Sequence, residues 1–246
     1  MNLIIDVGNT RTKLAVFGHD NALERLVVIT DGNVEDELSE LFNTSPDISK
    51  AIISSVGSFS ESTLQFLKER VATVLALDAQ TKVPFDNRYA TPTTLGVDRI
   101  ALVSAAAVQF PDQNVLVIDA GSCITYDFLT ADNQYLGGAI SPGIQMRYRA
   151  LHTFTANLPL LTPTTPVPTI GNSTEASMHC GVMFGVVHEI EGHIAFYRNR
   201  YPDFTIILTG GDAHLLRDSL KNSIFANPNF LLEGLLHILQ YNTQEC

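Results

Sequence analysis

An aspartate followed two positions later by glycine, and then by small polar side chains, occurs twice in this chain. The first copy is Asp6-Val7-Gly8-Asn9-Thr10 and the second, about 113 positions on, is Asp119-Ala120-Gly121-Ser122. An apolar strand precedes each aspartate, and residues suited to a second strand follow. Such a hairpin can grip phosphate: glycine lets the backbone approach an anion, exposed N–H groups and hydroxyls donate to it, and the carboxylate holds a cation or orients water. In the first copy the phosphate-binding candidates run from Asp6 to Lys13. They comprise the backbone of Val7, Gly8, Asn9, Thr10 and Arg11, the hydroxyls of Thr10 and Thr12, and the Lys13 ammonium, with Asp6 placed to hold a metal through water. An ordinary hairpin turn is the alternative for one Asp-x-Gly-Asn; recurrence after a second buried strand favours phosphate. A constant offset of 113 aligns Lys13 with Tyr126, so the second copy lacks the cationic arm.

Phosphoryl transfer also requires in-line positioning and a group to take the proton of the attacking hydroxyl. Asp98, two residues after Gly96 at the mouth of an alanine-rich helix, is the candidate base, because the N-terminal dipole favours its carboxylate form. The alternative is that an aspartate in a first turn only complements the dipole, worth about 0.3–1 kcal/mol. Arg99 follows it, with a guanidinium fork suited either to the carboxylate of a small acid or to a surface ion pair.

The elements that must carry these groups alternate between strand and helix. Leu3 to Ile5, Lys13 to Phe17 and Arg25 to Ile29 predict an antiparallel meander. Helices are predicted at Asn33 to Asn43, Ser60 to Arg70, with Ser60 as a capping residue, and Val97 to Val108, and strands at Lys50 to Ser54 and Val74 to Leu77. Pro111-Asp112-Gln113-Asn114 marks a boundary, giving an N-terminal domain over 1–112 and a C-terminal domain over 113–246. The second half restarts with a hairpin over Val115 to Leu129. Gly137-Gly138 and Pro142-Gly143 follow, with helices near Ile144 to Thr153 and over Thr174 to Arg198, a proline-rich loop between them, strand Thr205 to Leu208 and two terminal helical stretches.

Composition bounds the function. A length of 246 residues with 45% hydrophobic content supports a substantial core. The formal net charge of −11 argues against nucleic-acid or anionic-membrane partners, which require a concentrated basic face. Cys123, Cys180 and Cys246 are odd in number and form no Cys-x-x-Cys, which favours a reducing cytoplasmic compartment. The N-terminus enters a strand directly, with no signal-peptide pattern, and no apolar run reaches the roughly 18–20 residues of a membrane span.

Five blocks, Asp6-Val-Gly8-Asn9-Thr10, Gly96-Val97-Asp98-Arg99, Asp119-Ala-Gly121-Ser122, Gly137-Gly-Ala-Ile-Ser-Pro142-Gly143 and Gly171-Asn-Ser-Thr174, resemble in order and spacing the type III pantothenate kinases. The resemblance spans nearly the whole chain. It implies an α/β fold of the acetate/sugar kinase, Hsp70 and actin type, with two ribonuclease-H-like domains related by internal duplication and an active site in the cleft between them. It further implies transfer of the ATP γ-phosphoryl to the primary hydroxyl of pantothenate, magnesium with ATP, a monovalent cation (potassium or ammonium), and a homodimer. By the same resemblance Asp98 is the base, and Gly96, Val97, Asp98, Arg99, Tyr89 and Thr174 are substrate-binding. Asp119 is the cation ligand, and Ser122, where the family pattern carries threonine, is a nucleotide contact. Taken alone, Tyr89 reads as a packed loop aromatic and Thr174 as a helix N-cap.

Other signals resolve differently. His188 and His193 are five residues apart, so about 100° per residue turns them about 140° away from each other and a shared zinc is disfavoured. Gly181 and Gly185 read as permitting close helix packing, within the domain or across a dimer. Thr209-Gly210-Gly211-Asp212 reads either as a lining of the nucleotide's base or ribose or as a strand-to-helix turn. Two rival functions stay open: a kinase of the same fold on another hydroxy acid or sugar, which would offer Arg99 no carboxylate in the sugar case, and a non-catalytic ATP-binding regulator, which would not require Asp98.

Overall fold

The computed structural model describes residues 1–30, 32–57 and 60–243, so Cys246 lies outside the described residues. The chain forms two compact units. The first comprises Met1–Pro111, Asn133–Tyr135 and the segment from Asn229 on, and the second Asp112–Asp132 and Leu136–Pro228.

In the first unit, β1 (Asn2–Val7), β2 (Thr12–Phe17), β3 (Leu23–Ile29), β4 (Lys50–Ser55) and β5 (Thr73–Ala76) form a sheet of order β3-β2-β1-β4-β5. The first three strands pair antiparallel, as the meander predicts, and β4 joins β1 in parallel after a crossover through α1 (Val34–Thr44). Asn33 caps α1, its side chain accepting from the Glu35 N–H at 3.0 Å. Ser60 precedes α2 (Glu61–Lys68) but does not cap it: its hydroxyl pairs with that of Ser62 at 2.7 Å.

Period-2 alternation decides what each face of this sheet does. Leu3, Ile5, Leu14, Val16, Ala51 and Ile53 point to one side and pack with Leu38, Leu41 and Leu67 of α1 and α2. Their neighbours Asp6, Lys13 and Ser54 therefore occupy the other face, where α3 (Val97–Gln109) and α7 (Phe230–Thr243) pack. α3 is buried from Arg99 to Ala106, and α7 lies against it so closely that a Cβ on Gly234 would overlap the Ala101 carbonyl. The terminal helix thus belongs to the first unit, although the sequence division after residue 112 assigns it to the second half. Its all-round apolar surface, Leu231 and Leu232 through Leu235, Leu236, Ile238 and Leu239, is what α3 requires for a cover.

The second unit repeats the topology. β7 (Val115–Ala120), β8 (Cys123–Leu129), β9 (Gln134–Pro142), β10 (Thr205–Thr209) and β11 (Phe225–Ala226) are ordered β11-β10-β7-β8-β9. Numbered within the unit this is again third, second, first, fourth, fifth, with an antiparallel hairpin first and a parallel strand after the crossover. The nine-residue β9 is absent from the sequence reading. Gly137 (φ +97°) and Gly138 suppress strand propensity there, yet Gly138 is required because a Cβ would overlap the Tyr126 carbonyl. The two-residue β6 (Asp86–Asn87), also unpredicted, pairs with Gln134 and Tyr135. α4 (Ile144–Thr153) and α5 (Thr174–Arg200) cover the sheet, with Ile144, Tyr148, Val182, Val186 and Ile190 in the core.

On α5, His193 stacks on Tyr126 with ring centres 4.0 Å apart, whereas His188 lies beside Phe184. A Cβ on Gly181 or Gly185 would meet nothing within 4 Å, so neither glycine serves close packing inside the chain among the described residues.

Candidate active site

The first hairpin leaves residues 8–11 as an exposed loop between β1 and β2. The Gly8 N–H donates to the Arg11 carbonyl at 3.0 Å, and a Cβ on Gly8 would press on that same carbonyl at 3.2 Å, so the turn is tight and glycine-dependent. Asp6, at the strand end, lies between Lys13 on β2 and Ser54 on β4, both in register with it. It is only 9% exposed. Burial pushes its carboxyl up to about 6, with the Lys13 charge opposing and the Asp98 charge adding to the rise. The hairpin and the start of α3 are therefore within electrostatic reach of one another.

Asp98 is the second residue of α3, and its Oδ1 accepts from the Arg99 N–H at 2.9 Å. The carboxylate thus sits on the helix N-terminus, as the dipole argument requires. Gly96 is the N-cap residue, with φ of −59°, so no unusual backbone angle demands glycine; rather, a Cβ would overlap Asp98 Oδ1. Its role is to leave room for that carboxylate. Arg99 is 4% exposed, which excludes a surface ion pair. Its guanidinium carbon lies 5.5 Å from the centre of the Tyr89 ring, which in turn stacks on buried Tyr135 at 6.0 Å and 13°. Tyr89, Gly96, Val97, Asp98 and Arg99 are thereby gathered in one unit with the first hairpin.

The second hairpin is built to another plan. Its loop is Gly121 and Ser122 alone, closed by a 2.9 Å bond from the Gly121 N–H to the Cys123 carbonyl. Val7 pairs with Thr12, but its counterpart Ala120 pairs with Ile124, so the hairpin is one residue shorter and the constant offset fails beyond the turn. Thr125, not Tyr126, faces Asp119 in the place that Lys13 takes beside Asp6. Tyr126 points to the other side of the sheet, where its hydroxyl donates to Glu189 at 3.0 Å. Burial pushes the Glu189 carboxyl up, but hydrogen bonds from Arg147, Ser141 and Tyr126 outweigh it and hold the group below its ordinary range.

Two glycine turns wall this loop. Gly143, at the start of α4, donates to the Ser122 carbonyl at 3.2 Å, and a Cβ there would overlap the Gly121 and Ser122 carbonyls. Gly210, at φ +95°, lies against Asp119 and Ala120, and the Asp212 N–H donates to the Ala120 carbonyl at 2.9 Å. Thr209–Asp212 is thus a strand-to-helix turn leading to α6 (Ala213–Leu216). Ser173, not Thr174, caps α5, its Oγ accepting from the Ala176 N–H at 3.2 Å. Thr174 is exposed in the first turn, and its hydroxyl is not used for capping.

A family model described as type III pantothenate kinase matches residues 2–195. The chain is 51% identical over 242 residues to a type III pantothenate kinase of Christiangramia forsetii, covering 98% of this chain and 99% of that one. It is 49% identical to one of Flavobacterium johnsoniae, with 98% of each chain covered. Among solved structures, a Campylobacter jejuni protein described as a Baf family transcriptional activator aligns with a TM-score of 0.65 at 21% identity, and a glucokinase from an Antarctic psychrotroph with 0.55 at 12%, each over 98% of both chains. These two likenesses concern the fold, which is the predicted one of sugar kinases and actin-like ATPases, with two ribonuclease-H-like units of repeated topology. With the matched blocks, the near-complete coverage and the gathered first-unit residues, the chain belongs to the type III pantothenate kinase family.

Proposed function

We propose that this chain transfers the γ-phosphoryl of ATP to the primary hydroxyl of pantothenate, the first committed step toward coenzyme A. The observation that carries the reading is the placement of Asp98, seated on a helix N-terminus and within electrostatic reach of the Asp6 hairpin. The loop from Gly8 to Arg11 binds the ATP phosphates, the Gly8 N–H closing the turn on the Arg11 carbonyl while Lys13 and the hydroxyls of Thr10 and Thr12 supply charge and donors. Asp98 takes the proton from the attacking hydroxyl, and the buried Arg99 fork, backed by Tyr89, holds the carboxylate of the acid. Thr174 supplies a further contact to the acid, and Ser122 one to the nucleotide.

Among the described residues no group of three or more His, Cys, Asp or Glu could hold a metal ion. The oxygen donors present suit hard cations that complete their shells with phosphate and water. Asp6 would hold magnesium in this way. Asp119 would hold potassium or ammonium, with Thr125 beside it, whose buried Oγ1 has no hydrogen-bond partner among the described residues. When bound, these cations supply charge neutralisation of the phosphates.

The open face of α5, with no atom within 4 Å of a Cβ on Gly181, Gly185 or Gly192, supports a homodimer packed through this helix. Sedimentation of the active protein is expected to give a dimer; a monomer with full turnover would overturn that assignment. No helix among the described residues is long and apolar enough to cross a membrane. Free Cys123 and Cys180, with the acidic charge, support a cytoplasmic enzyme with no nucleic-acid or membrane partner.

One assay tests the central reading. Protein is given ATP, magnesium, potassium and pantothenate, and ADP formation is followed for wild type and Asp98→Asn. Turnover present in wild type and absent from the variant is expected. Equal turnover with unrelated hydroxy acids or sugars would transfer the assignment to another substrate, and nucleotide binding without turnover would favour a regulator.

A further inference from the structure

Ser54 is the penultimate residue of β4 in the parallel β1–β4 pair, directly in register with Asp6, and both side chains lie on the sheet face that carries α3. It is 1% exposed, and its hydroxyl has no hydrogen-bond partner among the described residues. The same holds for no other side-chain hydroxyl of the described first unit. A buried hydroxyl left without a partner is destabilising, so its retention needs a reason. Alanine would fill almost the same volume without leaving that group unsatisfied. Its partner across the strand pair is Asp6, whose carboxylate is an acceptor that a serine O–H can serve.

We infer that Ser54 is a positioning residue for Asp6, its hydroxyl turning to donate to the Asp6 carboxylate and fixing that carboxylate for the divalent cation that accompanies ATP. This rests on the reading of the first hairpin as the ATP phosphate site. Magnesium keeps several waters and is bound through one or two carboxylates and substrate phosphates, so the groups that orient those waters decide where the ion sits. Lys13 occupies the opposite neighbour position on β2, in register with Asp6. The carboxylate is thus flanked by a cation on one side and a hydroxyl on the other. A serine O–H donates one bond, and turned onto the carboxylate it fixes that group's orientation.

The experiment compares wild type, Ser54→Ala and Ser54→Thr by calorimetric titration with ATP, with and without magnesium, by magnesium-dependence of turnover, and by thermal melting without nucleotide. Ser54→Ala is expected to melt at or above the wild-type temperature and to bind metal-free ATP as wild type does. It should bind magnesium-ATP about tenfold more weakly and require about tenfold more magnesium, with the pantothenate KM unchanged; Ser54→Thr, which keeps the hydroxyl, should recover most of the loss. A wild-type magnesium midpoint and magnesium-ATP affinity in Ser54→Ala would overturn the role of Ser54, as would equal losses with and without magnesium. Failure of the ATP-site reading looks different: wild type itself would then bind ATP no better with magnesium, whatever stands at position 54.

Discussion

The two hairpins share a motif, a strand order and a pair of flanking strands, yet they surround their aspartates differently. Asp6 is opposed by a lysine and a serine, Asp119 by two threonines, Thr125 and Thr209. The first loop lies open, whereas the second is one residue shorter between its last paired residues and is walled by the turns at Gly143 and Gly210. Under the proposed function, the built-in ammonium beside Asp6 would supply positive charge toward phosphate. Under the same proposal, the hydroxyls beside Asp119 would supply oxygen donors toward a cation that must come from solution. The two units keep one strand order, and what differs between the hairpins is a few cross-strand neighbours, on which the proposed division of labour rests.

Several substitutions would break or sharpen this contrast. The largest effect is expected outside both hairpins: Asp98→Asn should lower kcat by about 10²–10⁴-fold while leaving nucleotide affinity intact, which separates holding from chemistry. Gly96→Ala should fold normally, since its φ suits alanine, but the added methyl must displace the Asp98 carboxylate; a kcat loss of about 10²-fold with unchanged melting is expected. Lys13→Thr makes the first hairpin resemble the second and should weaken ATP binding by about 10–100-fold, read by calorimetry. The converse Thr125→Lys should flatten the potassium dependence of turnover, and an unchanged potassium response would remove the proposed division of labour.

The smallest effect concerns stability. Because the folded protein raises the Asp6 carboxyl from 3.8 to about 6, it binds that proton more tightly than the unfolded chain. Wild type therefore loses stability relative to Asp6→Asn as pH rises from about 4 through 6. Above that the variant should be more stable by about 3 kcal/mol without nucleotide, and the difference should vanish below pH 4. Urea titrations between pH 4 and 8 check the sign. An Asp6→Asn protein that is inactive but more stable would mark Asp6 as a group kept for function.

Much of the site was legible because it is local. The apolar strands, the Asp-x-Gly turns and the Gly96–Arg99 block each lie within a dozen residues, and their side-chain types state their chemistry. What the sequence hid depends on register. Ser54 acquires meaning only when β4 pairs with β1, and Thr125 replaces Tyr126 because one residue is missing from a turn. The Gly137-Gly138 strand was hidden by its composition, since the need for a missing Cβ arises from the Tyr126 carbonyl on a neighbouring chain segment. Ser173 displaced Thr174 as the cap by a single position, the usual scale of uncertainty at helix ends.

The packing of α7 on α3 through Gly234 also governs how the protein can be made. The helix that carries Asp98 leaves the ribosome more than a hundred residues before its cover does. At about 5–20 residues per second, its apolar face waits on the order of ten seconds for its partner. During that interval the helix of Asp98 lacks its cover, and a growing chain is open to holdase chaperones along the surface that α7 later occupies. Release of a chain stopped before Phe230 should therefore yield no active first unit, and supplying α7 as a separate peptide is the way to ask whether the cover alone completes it.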